Sequence, residues 1–179
     1  MHKWLKRTIT AGLLLAGAYV AGRAGLAYSI EGYRPYRGQL SSRSLRDVAD
    51  ELASQPHATE TAVADFALAK TCSTLHFAWQ RNAEQDPNRI LALRAAHCKM
   101  YAYVFASLHK QLCAEAGLTA TVRVAYGQVY WYGFHLNTLL PGRFFQNHDF
   151  CVVTDGPASY AIDPVLFDYT FVRQVPLRR

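Results

Sequence analysis

Three side chains in the second half of the chain, Cys98, His148 and Asp163, are of the types that nucleophilic acyl transfer uses. A thiolate attacks a carbonyl carbon, an imidazole carries the proton, and a carboxylate fixes the imidazole tautomer and stabilises its charged form. The spacing supports that reading. Cys98 opens an apolar run with Tyr101, Phe105, Leu108 and Leu112 at helical intervals, and Gly117 stands where a helix ends. A cysteine in the first turn of such a helix meets unpaired amides and the positive end of the helix dipole, both of which favour thiolate over thiol. Its own N–H is one oxyanion donor. Upstream, Gln80 and Trp79 are the nearest candidates for a second.

His148 and Asp163 flank Asp155-Gly156-Pro157, a turn between two apolar, alternating stretches. A hairpin turning near Gly156 pairs residues whose numbers sum to about 312, which brings His148 and Asp163, at 311, across from each other and close enough for their side chains to bond, and Asp149 then points to the opposite face. His135, in Tyr132-Gly133-Phe134-His135, is a rival base with no acid at hairpin distance. His76 and His109 fall inside helical patterns and read as surface or satisfied core groups. Asp168 is a second-choice orienting acid. His97 is either a polar first-turn residue or a group over the site that tunes Cys98. Tyr130, Trp131 and Tyr132 belong to an aromatic cluster denser than a core requires, and together with His97 they are candidates for a substrate cleft.

The elements that must place these groups follow from periodicity. Residues 28–43 read as an extended lead-in. Ser44 caps a short amphipathic helix through Leu45, Val48 and Leu52, and Thr59 or Thr61 opens a longer one through Val63, Phe66 and Ala67. Residues 81–89, with Asp86-Pro87, read as a loop before the Cys98 helix. From Thr119 the period becomes two, with Val122, Val124 and Tyr126 on one side, followed by the strands flanking Gly156. Helices first and an antiparallel meander afterwards make an α+β domain over residues 44–179.

Residues 1–27 read as a secretory signal or membrane anchor: Lys3, Lys6 and Arg7 precede the apolar stretch Thr8 to Gly22, and Gly25-Leu26-Ala27 offers small residues for cleavage. The expected location is periplasmic or secreted, with membrane attachment only through residues 1–27. The formal net charge of +6 owes much to this segment, since the remainder holds 15 basic and 13 acidic residues, a net of +2. With no basic stripe interleaved with aromatics, a nucleic-acid partner is not expected, and Arg173, Arg178 and Arg179 read as a solvated tail. Four cysteines without CxxC pairs give no zinc pattern. With Cys98 as nucleophile, Cys72, Cys113 and Cys151 leave room for at most one disulfide.

The run His97-Cys98-Lys99-Met100-Tyr101-Ala102-Tyr103-Val104-Phe105, then Ala116-Gly117-Leu118-Thr119-Ala120-Thr121-Val122-Arg123-Val124-Ala125-Tyr126-Gly127, resembles the core of the transglutaminase-like superfamily. His148-Asp149-Phe150-Cys151-Val152-Val153 resembles its His-led strand, and Ala161-Ile162-Asp163-Pro164 its Asp-Pro element. The chain departs from the family's usual pattern at His97, where glycine is common, and at Asp149-Phe150, where Ala-Trp is common. The resemblance implies a papain-like core and a Cys98, His148, Asp163 triad working through a thioester. It implies a peptide or protein amide substrate and no metal or organic cofactor. Hydrolysis by a peptidase or amidase is the leading expectation. A glutamine transglutaminase or other acyltransferase, and a non-catalytic peptide- or glycan-binding module on the same fold, are the alternatives.

Overall fold

The computed structural model describes residues 19–36, 38–41, 59–79, 83–139 and 147–178. The helix expected from Ser44 and most of the signal segment lie outside them. Among the described residues no helix is long and apolar enough to cross a membrane.

The architecture is α+β. A five-stranded antiparallel sheet runs β1 (Leu26–Tyr33), β4 (Thr121–Trp131), β6 (His148–Asp155) and β7 (Ala158–Ile162), with the short β5 (Phe134–His135) folded back on β4. Helices α1 (Glu60–Thr74), α2 (Pro87–Leu93), α3 (Cys98–Glu115), α4 (Leu136–Leu139) and α5 (Pro164–Thr170) complete it, with a two-residue parallel pair, β2 (His76–Phe77) and β3 (Ala95–Ala96). Strand alternation divides the core. Val124, Cys151, Val153 and Ile162 face the buried side of α3, while Ala125, Phe150, Val152 and Ala161 face a second apolar cluster that includes Tyr28 and Val129.

The local chemistry explains the helices. Thr59 caps α1 by accepting from Ala62 N–H at 3.2 Å. The Asp86-Pro87 pair, expected in a loop, instead starts α2: Asp86 accepts from Asn88 N–H at 3.0 Å and proline occupies the first turn, where no donor is lost. In α3 the core face is nearly continuous, from Met100 to Ala106 and on through Leu112. Gly117, at φ 68°, ends the helix as expected, with Leu118 N–H reaching back to Cys113 C=O at 2.8 Å. Gly127 is required by close approach: a Cβ there would lie 1.7 Å from the Ser29 carbonyl oxygen of β1.

Two boundaries differ from expectation. Residues read as a lead-in begin with a sheet strand, β1, which pairs with β4 from Leu26↔Trp131 to Tyr33↔Ala125 around a bulge near Gly32. Its Gly, Pro, Tyr and Arg content masked the alternation that the pairing uses. The helical residues before it also dock: Tyr132 N–H donates to Gly25 C=O at 2.7 Å, Trp131 Nε1–H to Gly22 C=O at 3.0 Å, and Arg23 to Phe171 C=O at 3.0 Å. Nor is the C-terminal stretch a solvated tail. Val175 bridges to Ala161 on β7, and residues 176–178 bond Tyr28 on β1 through Pro176 C=O (3.0 Å) and Arg178 N–H (2.7 Å), so the tail joins the two edge strands. Arg178 stacks over Tyr130, and Arg173 pairs with Asp65 at 2.7 Å. Three arginines obscured the buried Val172, Val175 and half-buried Leu177 among them.

A chain starting at residue 19 retains all of these contacts, whereas one starting at Tyr28 loses the acceptors at Gly22 and Gly25 and two strand pairs. At about 1 kcal/mol net per lost hydrogen bond the shorter chain is expected to unfold roughly 5 °C or more below the longer. Thermal unfolding followed by circular dichroism measures this, and equal midpoints would show that residues 19–27 do not stabilise the domain.

Candidate active site

Asp163 is the centre of the site. It leaves β7 one residue after Ile162 and becomes the N-cap of α5, with Pro164 in the first turn. Its Oδ1 accepts from Val165 N–H at 3.0 Å and Leu166 N–H at 3.1 Å. Its Oδ2 takes His148 Nε2 at 2.5 Å and the Tyr28 hydroxyl at 2.5 Å. Both oxygens are therefore fully engaged, and the residue is almost completely buried.

The hairpin that joins His148 to Asp163 has a different register from the one expected. Asp155 pairs with Ala158 across a two-residue Gly156-Pro157 turn, and the ladder ends at Cys151↔Ile162. Extended by one step, that register sets Asp163 opposite Phe150, two residues past His148. A shift of two keeps both side chains on one face, because strand side chains alternate with period two, and it converts a direct pair into a diagonal one. The contact survives for that reason. Asp149 points to the other face, as alternation requires, and binds Arg34 Nε at 2.7 Å; Arg34 in turn lies over the Tyr126 ring.

Cys98 stands at the first residue of α3, after His97 at the N-cap, and is half-buried. Burial on its own would raise the thiol's pKa. Hydrogen bonds from His148 and His97, the charge on His148 and the Asp149 N–H outweigh that and bring it down to about 6. With Nε2 of His148 committed to Asp163, Nδ1 is the ring nitrogen left to serve the sulfur. Burial disfavours charge on His148 too, yet the Asp163 carboxylate and the bonds to Asp163 and Cys98 lift it well above its ordinary value. Asp163, despite its burial, is held below the usual carboxylate range by His148, Tyr28 and the Leu166 amide. Both shifts favour the charged form of each group, thiolate on Cys98 and imidazolium on His148. His97 thus contributes to Cys98 directly, although its ring makes no capping bond to its own helix.

The other three cysteines differ in kind. All four are free thiols. Burial pushes Cys72 far up and Cys151 well up, and Cys113 to about 11. Cys151 donates to Ala102 C=O at 3.3 Å and Cys72 to Pro164 C=O at 3.1 Å, as small core groups do.

Several residues singled out by sequence lie elsewhere. His135 bonds Gln128 at 2.6 Å and stacks on Tyr130, away from Asp163. His109 is a satisfied core group, bonded to Glu60 at 3.2 Å, whose carboxylate also takes the Tyr160 hydroxyl at 2.7 Å. Asp168 accepts from Tyr101 at 3.1 Å and does not orient His148. Of the cleft candidates, Tyr130 is covered by Arg178, while Trp131 and Tyr132 hydrogen-bond the backbone of residues 21–25. They pack the N-terminal helix on β4, three to five residues beyond the Gly127 that pairs with His148. That docking engages part of the cluster, while Trp131 and Tyr132 remain 41% and 54% exposed.

Gln80 lies outside the described residues. Trp79 is brought alongside the nucleophile by β2 and β3, an element absent from the sequence reading. His76 pairs with Ala95 and Phe77 with Ala96, and Ala78 N–H donates to Ala96 C=O at 2.8 Å, so the chain enters Trp79 parallel to the stretch that delivers Cys98. Trp79 is 71% exposed, its ring set on edge against Phe77, which also meets Tyr169 of α5, itself 66% exposed. The strongest residue that sequence reasoning missed is Tyr28. Buried in β1, it donates to Asp163 and sets its ring edge-on to His148 at 5.9 Å. Its only sequence signal was a tyrosine at the head of an alternating stretch. Among the described residues there is no group of three or more histidine, cysteine or carboxylate side chains arranged to hold a metal.

Comparison of the chain with protein-family models and with curated proteins returns no match.

The charge pairing makes a direct prediction. Because thiolate forms as pH rises through the Cys98 pKa, alkylation of Cys98 by iodoacetamide is expected to be half-maximal near pH 6 and level above pH 7, with the other three cysteines slower at neutral pH. His148→Ala removes the main partner and is expected to move the midpoint toward the ordinary thiol value of about 8.5. Peptide mapping after limited labelling measures both, and a midpoint unmoved by His148→Ala contradicts the pairing.

Proposed function

We propose that this chain is a thiol-dependent hydrolase of amide bonds, similar to transglutaminase-like enzymes and built on a papain-like core. The observation that carries the reading is the buried His148–Asp163 bond next to Cys98 at the start of a buried helix, an arrangement that brings the thiol's pKa down to about 6. Structural cysteines have raised pKa values, as the half-buried Cys72 and the buried Cys113 and Cys151 do; a lowered value beside a histidine is the property of a nucleophile.

The chemistry follows from the charges. The Cys98 thiolate attacks the amide carbon and forms a C–S bond, and the carbonyl oxygen becomes an oxyanion stabilised by the Cys98 N–H and the helix dipole. Collapse breaks the C–N bond, and the leaving amine takes the proton held by His148. Now neutral, His148 removes a proton from water, hydroxide attacks the thioester, the C–S bond breaks, and the acid is released with Cys98 again a thiolate. Asp163 keeps its charge throughout and orients the ring. Tyr28 acts through Asp163 as a positioning residue. Its hydroxyl stays protonated, since burial first and the neighbouring carboxylate second raise its pKa well above the ordinary value. Export belongs to the same proposal and rests on the basic and apolar pattern of residues 1–27.

Asp163→Asn keeps the shape of the cap and removes the charge. Hydrolysis of a peptide amide or an activated acyl ester is expected to fall by roughly 10⁴-fold, the cost of losing an orienting acid. Tyr28→Phe, which only loosens that acid, is expected to lower kcat about tenfold with little change in KM. Asp149→Asn leaves His148 untouched but breaks the mostly buried bond to Arg34, so its expected effect is a lower melting temperature with near-normal kcat. A continuous fluorogenic assay beside thermal unfolding separates the three. If Asp149→Asn costs more activity than Asp163→Asn, the roles are misassigned.

A further inference from the structure

His148 and Asp163 also form part of the wall of a cavity of about 230 Å³ that the reaction scheme does not use. Leu26, Val129, Leu136 and Leu166 line it, and Tyr28 joins them beside Asp163. Tyr169 lines it too, and is the exposed residue whose ring meets Phe77, which in turn meets Trp79.

The polar atoms along this wall are already spoken for. Asp163 has both oxygens engaged, the Tyr28 hydroxyl is spent on Asp163, and His148 Nε2 is bonded to the same carboxylate. What the cavity offers a guest is therefore carbon. A water molecule needs two to four polar partners to be held, and an apolar cavity of roughly 150 Å³ stays dry and accepts benzene. This one is larger, and is of a size for one branched aliphatic or aromatic group. An empty cavity of this kind in a core would destabilise it by lost contacts; one bounded by half-buried Leu26, Leu136 and Leu166 and an exposed Tyr169 is reachable from solvent.

We infer that this cavity is a specificity pocket, which takes the apolar side chain or acyl branch of the substrate near the scissile carbonyl. The inference rests on the hydrolase reading and adds the substrate class to it. The His148 ring lines the pocket and is also a partner of the Cys98 thiol, and an extended peptide advances about 3.3 Å per residue, so the occupant belongs to a residue within one or two positions of the carbonyl that Cys98 attacks. A filled pocket also excludes water from the cavity side of the His148–Asp163 bond, where lower dielectric strengthens it.

The test uses the full chain with two chloromethyl ketones, N-acetyl-phenylalanyl and N-acetyl-glycyl, each read by Cys98 labelling rate and normalised to iodoacetamide. The phenylalanyl probe is expected to label at least tenfold faster than the glycyl one. Leu136→Phe and Val129→Phe, which fill the cavity from two different elements, are expected to bring that ratio close to one. Equal rates for the two probes on the unaltered chain, or a ratio that survives in a folded variant, overturn the pocket while leaving the nucleophile in place. If iodoacetamide does not single out Cys98, the hydrolase reading fails instead. Toluene then judges the cavity on its own: shifts of the Val129 and Leu136 methyl resonances on titration show that it accepts an apolar group, and their absence shows that it does not.

Discussion

One carboxylate organises the site. Asp163 receives two backbone amides on one oxygen and a histidine and a tyrosine on the other, and is almost completely buried. A buried charge without partners costs several kcal/mol, and one so thoroughly bonded holds its neighbours in place as much as they hold it. That negative charge raises the pKa of His148 against the effect of its burial, and His148, by hydrogen bond and charge and together with His97, lowers that of Cys98. Substituting Asp163 would disturb the ends of α5, β6 and β1 together.

The rest of the fold supplies the groups around it. α5 contributes amides, β6 the histidine, β1 the tyrosine and α3 the thiol at its positive end. The C-terminal stretch bonds both β1 and β7, and so holds the strand that carries Tyr28 against the hairpin that leads to Asp163. Two distant ends of the chain thereby stabilise one hydrogen bond. His97 is adjacent in sequence to the thiol it assists, and the Asp149 amide reaches the same sulfur from the next strand over. Cys98 is thus supported from both α3 and β6.

How much of this was legible depended on how local the signal was. The helix from Cys98 to its Gly117 stop, and the hairpin around Gly156, are encoded in consecutive residues whose periods are unambiguous. The α+β class followed from them. The register came out two residues off, but a shift of two preserves the face, so the His148–Asp163 contact did not depend on getting it right. Non-local partners were not readable. Nothing near Tyr28 announces that a residue 135 positions away will accept its hydroxyl. The two-residue pairing of His76–Phe77 with Ala95–Ala96 is too short to leave a period, yet it is what moves Trp79 beside Cys98. Charge misled in one place: Arg173 and Arg178 suggested a solvated tail where alternate apolar residues pack on the sheet. Aromatic density carried a second signal besides, since Trp131 and Tyr132 also dock the N-terminal helix.

The central claim is that Asp163 keeps His148 charged beside a thiolate, and the protonation state of one ring decides it. Nitrogen-15 spectra of histidine-labelled protein at pH 7 are predicted to show His148 with both ring nitrogens protonated, losing one of them in Asp163→Asn. A neutral His148 at pH 7 in the unaltered chain, or a spectrum that Asp163→Asn leaves unchanged, would contradict the account.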